Sequence, residues 1–195
     1  MASEIQAVDD YLETAIWNSL MKHHQSDYYI HDFLMYKSGD VSGECKNPEC
    51  GNNTPMGRGY AYPHIYNTYF SMYKIAKLYP DAINYKNSAK TYLYRAYRIM
   101  KTLYDGSVAY NWYTGLMGEL TTPEIIQALK DEGYSAEAND LISKMSRKYN
   151  NFKNTKYPYG SEYTYDNTGE EAVFSLAKMN NNTKMMGKIN DKTRA

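Results

Sequence analysis

The feature that most constrains this chain is a recurring pair of helical signals separated by links too short to cross anything. Residues 63–79 read PHIYNTYFSMYKIAKLY. Ile65, Tyr69, Met72, Ala76 and Tyr79 form one face of a helix, with Tyr66, Phe70, Tyr73 and Lys77 beside it. Pro63 fits a first turn, where its missing N–H is not needed, and Pro80 ends the helix. Residues 88–104 repeat the spacing with Ala89, Leu93, Ala96, Met100 and Leu103, and Gly106 is the stop. Two helices so joined can only lie antiparallel.

The pattern recurs. Thr121 to Glu124 reads as a capping box with Pro123 near the start, Ile125, Ile126 and Leu129 as the apolar face, and Gly133 as the C′ residue. Ser135 is expected to cap the partner helix through Leu141, Ile142, Met145 and Tyr149. Thr168 and Glu171 are spaced as another capping box, before Val173, Phe174, Leu176 and Ala177. Near the start, Val8, Tyr11, Leu12, Ala15, Ile16 and Leu20 predict a helical face over residues 8–21, and Trp17 is expected in the core. No segment alternates as a strand does. The expected fold class is therefore all-α, built of serial helical hairpins with loops at 37–60, 105–120 and 150–167. At 195 residues one domain is expected, over 1–180, followed by a polar, frayed tail over 181–195.

Composition excludes several function classes. Lys+Arg and Asp+Glu are both 22, and the formal charge is zero, which argues against nucleic acid as a partner. Mean hydropathy is −0.73 and no run of about eighteen apolar residues exists, so no membrane partner is expected. The first residues, MASEIQAVDDYLETAIW, carry neither the basic nor the apolar region of a signal peptide. Cys45 and Cys50 lie in CKNPEC, and none of the four histidines sits at zinc-finger spacing from them; two loop thiols or a local disulfide are favoured over half a metal site. P-loop, dinucleotide, HExxH, GxSxG and CxxC motifs are missing, so neither a cofactor nor a metal is expected.

Tyrosine points to what remains. There are 23 Tyr against 4 Phe and 2 Trp. Lys outnumbers Arg by 17 to 5, a bias that AT-rich codons would produce, but such codons would raise Phe as well. The phenol hydroxyl is what the excess supplies: an apolar ring with a polar tip.

Three loop clusters carry candidate chemistry. Residues 156–174, KYPYGSEYTYDNTGEEAVF, combine Tyr157, Tyr159, Tyr163 and Tyr165 with Glu162, Asp166, Glu170 and Glu171. Rings stack on sugar faces, and glycoside hydrolysis needs two carboxyl groups about 5–9.5 Å apart. Glu162 is the first candidate acid because it sits mid-loop; Asp166, Glu170 and Glu119 follow. The structural alternatives are an Asx turn or N-cap for Asp166, helix-dipole charges for Glu170 and Glu171, and a helix-flanking charge for Glu119. Arg58, Tyr60 and His64 form the second cluster, at the start of a helix, with His64 either a ligand contact or a buried, satisfied histidine. The same set would suit a polysaccharide lyase, with His or Tyr as base and Arg on a uronate. Trp112, in the loop YNWYTGLMGE, is a candidate stacking platform.

The strings YPYGSEYTYDNTGEEAVFSLAK, RGYAYPHIYNTYFSMYKIAKLYP and GLMGE resemble an uncharacterised bacterial family in the six-hairpin glycosidase-like group, built on an (α/α)6 toroid. The resemblance spans roughly residues 8–180 and carries no residue roles with it. It implies a carbohydrate-active protein, a glycoside hydrolase acting on a polysaccharide or oligosaccharide, from a parent that is secreted or held at the cell surface. It also implies that this chain, with too few helices for twelve, is a piece of a toroid whose partners are the remainder of the toroid or another copy. A helical carbohydrate- or protein-binding module without catalysis is the reading from another class.

Overall fold

The computed structural model describes residues 1–30, 59–161 and 166–194, and the regular elements among them are all helical, with no β-strand. Seven α-helices appear: α1 Ala2–Tyr11, α2 Ala61–Leu78, α3 Ala89–Asp105, α4 Thr122–Asp131, α5 Ser135–Phe152, α6 Glu170–Met179 and α7 Thr183–Arg194. The all-α expectation holds. Where one domain was expected, the chain divides into two compact units, Met1–Val108 and Ala109–Ala195.

The first unit is built on the α2/α3 hairpin. Ser88 caps α3, its side chain accepting from the Thr91 amide at 3.1 Å. Met72 of α2 and Leu93, Ile99 and Met100 of α3 are all without solvent exposure. Burying each such side chain contributes about 1.5–3 kcal/mol relative to leaving it in water. Most of the tyrosine excess is also here: Tyr28, Tyr62, Tyr66, Tyr69, Tyr73, Tyr92, Tyr97 and Tyr104 are buried. Their hydroxyls do what Phe cannot. Tyr69 donates to the Leu12 carbonyl at 3.3 Å, Tyr62 accepts from the Ile30 amide at 3.3 Å, and Tyr92 donates to the Asp9 carboxylate.

The N-terminal helix departs from the expected face. After Tyr11 the chain continues as a π-helix over Leu12–Leu20, with the Met21 amide reaching back five residues to the Ile16 carbonyl at 2.8 Å. Side chains take up carbonyls along this wider turn; Asn18 Nδ2 donates to the Glu13 carbonyl at 2.8 Å. The buried stripe is Ile5, Asp9, Leu12, Ile16 and Ser19, while Val8 and Tyr11 are exposed and Trp17 is only half-buried. Asp9 tolerates full burial because the Lys86 amide at 2.8 Å and the Tyr92 hydroxyl both donate to it. Glu13 accepts from Asn87 Nδ2 at 2.8 Å and from Arg95 at 3.0 Å, and the Arg95 guanidinium lies 3.8 Å from the centre of the Trp17 ring.

The second unit holds two hairpins, α4/α5 and α6/α7, with α5 packed on α6. Both close with the same backbone device. Gly133, at φ +85°, follows α4; its amide returns to the Lys130 carbonyl and that of Tyr134 to Leu129. Asn181, at φ +53°, follows α6; its amide returns to Lys178 and that of Asn182 to Ala177. Asn182 then opens α7 by accepting from the Met185 amide at 3.1 Å. The expected frayed tail is therefore corrected. Residues 183–194 form a helix that buries Met185 and Ile189, an apolar face too sparse to stand out from its polar surroundings.

The expected caps are corrected as well. Thr121 donates to the Gly118 carbonyl and Thr122 to the Glu119 carbonyl, because a 3-10 turn over Glu119–Thr121 leads into α4. Ser135 is the first residue of α5 rather than its cap.

Candidate functional site

In the second unit three backbone segments cross with no room for side chains. The Gly115 amide donates to the Gly160 carbonyl at 2.7 Å. A Cβ on Gly115 would lie 2.3 Å from the Gly169 carbonyl oxygen, and one on Gly169 would lie 2.5 Å from that of Gly160. Gly160 also sits at φ +68°, where a side chain would meet Val173 at 2.6 Å. The crossing brings the loop that carries Trp112 and Glu119 against the segment that carries Tyr159, Asp166 and Glu170.

Carboxylates hold the crossing in place. Glu119 is buried and accepts from Lys148 Nζ at 2.7 and 2.8 Å and from the Leu116 amide at 2.7 Å. The space around this pair, walled by Met145, Ala172 and Leu176, has no room for a water molecule. Burial pushes the Glu119 carboxyl up and the Lys148 ammonium down, and each partner's charge pulls the other back. Glu171 adds a smaller upward push on Glu119 and accepts a hydrogen bond from the Gly118 amide. It therefore serves the neighbouring loop, not a capping box with Thr168. Glu170, also buried, pairs with Lys192 and accepts from the Thr193 hydroxyl at 2.9 Å, so α7 holds the first turn of α6.

The remaining candidates have these places. Asp166 makes the Asx turn foreseen as one alternative, accepting from the Thr168 amide at 2.9 Å and its hydroxyl at 2.8 Å; these bonds lower its pKa. Tyr159 is half-buried, with Lys192 Nζ 4.6 Å from its ring centre. Trp112 is half-buried too, and Arg147 lies 3.9 Å from the centre of its indole, so the protein's own cation lies over the ring. Tyr60 and His64 belong to the first unit, before and within the first turn of α2. His64 is exposed, which corrects the buried-histidine alternative. Arg58, Glu162, Tyr163, Tyr165, Cys45 and Cys50 lie outside the described residues. Among the described residues no group of three His, Cys, Asp or Glu side chains is arranged to hold a metal, and no helix is long and apolar enough to cross a membrane.

Sequence reasoning missed Lys148 and Lys192, the partners of the acids. A signal for Lys148 was present: it falls three residues after Met145 and seven after Leu141, on the apolar stripe of α5.

These features define an all-helical protein of consecutive hairpins with a glycine-tight crossing of loops in its second unit. The chain belongs to the family of unknown function DUF5695, whose model matches residues 1–192. Neither a curated protein nor a solved structure matches it.

Proposed function

We propose that the chain is part of a carbohydrate-active protein, a glycoside hydrolase acting on a polysaccharide, with its hairpins forming part of an (α/α)6 toroid. The observation that supports this reading is the crossing at Gly115, Gly160 and Gly169, which gathers loops rich in acids and aromatic rings. Hydrolysis needs one carboxyl group to give a proton and another to stay ionised. Glu119 and Glu170 are committed to lysines, and in this proposal they position the loops. Asp166, held ionised by the amide and hydroxyl of Thr168, suits the base or stabilising carboxylate. Glu162 is the proposed proton donor. Tyr159, Tyr163, Tyr165 and Trp112 are proposed sugar contacts, and Arg58, Tyr60 and His64 are proposed as sugar contacts as well. The parent protein is proposed to be secreted or held at the cell surface.

The test is release of sugar from a panel of neutral and acidic polysaccharides by the wild type and by Glu162→Gln and Asp166→Asn. Loss of release in both variants, with substrate binding kept, supports the assignment. Undiminished release by Glu162→Gln removes Glu162 from the mechanism. One observation favours a second reading, a binding module without catalysis: two of the candidate acids, Glu119 and Glu170, are each neutralised by a lysine. Under that reading polysaccharide binds and nothing is released.

A further inference from the structure

A groove of about 330 Å³ in the second unit runs between the end of α5 and the start of α7. Lys153, Lys156, Lys184 and Lys188 line it, along with Asn154 and Asn182. Elsewhere in this unit buried or half-buried lysines are neutralised: Lys144 by Asp140, Lys148 by Glu119 and Lys192 by Glu170. None of the four groove lysines pairs with a carboxylate among the described residues. Lys188 Nζ reaches the Lys156 carbonyl at 3.4 Å, and Lys156 Nζ lies 5.1 Å from the centre of the Tyr157 ring. In a chain of zero net charge, four ammonium groups around one concavity concentrate positive potential there.

An aromatic face adjoins the charge. Tyr157 is 66% exposed, next to Pro158 in the groove wall. Cations beside an exposed ring fit a ligand with both an anionic group and a stackable face. The groove is at the small end of ligand-pocket volumes, room for one or two sugar rings and not for a strand of nucleic acid. We infer that this groove binds an acidic residue of an oligosaccharide, one bearing a carboxylate or sulfate, with the lysines on the anion and Tyr157 against the ring. The inference rests on the carbohydrate reading above and adds the charge of the sugar it takes.

The test is titration calorimetry of the full chain with a uronate oligosaccharide, a sulfated oligosaccharide, a neutral cello-oligosaccharide, inorganic phosphate and a short single-stranded RNA. At least one acidic oligosaccharide is expected to bind, more weakly as salt rises. Replacing the four lysines together by Gln is expected to weaken it at least about tenfold and to change the thermal midpoint little, since three of these side chains are exposed and none is paired with a carboxylate among the described residues. Tyr157→Ala is expected to weaken the acidic oligosaccharide by a similar factor. Acidic binding that survives the lysine replacements overturns the inference, as does RNA or phosphate binding as tight as the glycan with the same lysine dependence. If neutral glycans are bound or cleaved and acidic ones are not, the groove proposal falls while the carbohydrate reading stands. If no glycan is bound or cleaved, both fall.

Discussion

Replacing Lys148 by Met isolates what the buried pair does for the second unit. The thioether matches the lysine stem in volume, so packing changes little, but Glu119 is left buried beside Met145, Ala172 and Leu176 without the ammonium that neutralises it, while the Leu116 amide still donates to it. Removing one partner of a buried ion pair destabilises by about 3–5 kcal/mol. For a unit of this size that is a drop of at least about 12 °C in midpoint. The penalty depends on pH in a definite sense. Burial and Glu171 both raise the Glu119 pKa, and Lys148 is the charge that opposes them. Without it the folded-state pKa stands further above the unfolded value, so folding takes up a proton and stability is lost as pH rises through the folded pKa. The gap between variant and wild type should shrink as pH falls from 7 toward about 5, approaching the ordinary glutamate range. Urea denaturation followed by circular dichroism at several pH values measures it. Adding Glu119→Gln, which keeps an oxygen for the Leu116 amide, should recover at least about 2 kcal/mol. A loss below about 1 kcal/mol for Lys148→Met, with a gap that does not vary between pH 5 and 8, would refute the buried-pair argument.

Three glycines separate two causes of intolerance in thermal melts. Gly160→Ala combines positive φ with a Cβ 2.6 Å from Val173 and should lose more than about 2 kcal/mol; Gly133→Ala, at positive φ but in open space, should lose about 1 kcal/mol; Gly187→Ala, inside α7 with nothing within reach, should gain about 0.5–1 kcal/mol. Tyr92→Phe should destabilise the first unit by about 1–3 kcal/mol, because the fully buried Asp9 loses a donor; Tyr113→Phe, at 78% exposure, should change urea stability by less than about 0.5 kcal/mol.

How much of this was legible in the sequence depends on what each residue does. The α2/α3 and α4/α5 hairpins were readable because apolar spacing and terminators agreed: Pro80 after α2, Gly106 after α3, Gly133 after α4. The α6/α7 turn was missed because its left-handed residue is Asn181 among other asparagines, and because α7 buries little besides Met185 and Ile189. The capping boxes were misread because a hydroxyl or carboxylate at the right spacing takes whichever donor or acceptor the tertiary fold brings closest. Glu171 found the Gly118 amide, 53 residues away.

The candidate site was less legible for one reason that runs through both units. Periodicity arguments treat charge as solvent-facing, yet Asp9, Glu119, Lys148 and Glu170 are all buried. Each is tolerated only because a partner from elsewhere in the chain satisfies it: Tyr92 for Asp9, Lys148 for Glu119, Lys192 for Glu170. An acid near aromatic residues therefore reads the same in sequence whether it faces a sugar or a lysine. The lysines decide between the two. Those that fall on the buried faces of α5 and α7 mark the acids that hold the fold, and the group that lines one groove, Lys153, Lys156, Lys184 and Lys188, marks the surface proposed to take an anionic ligand.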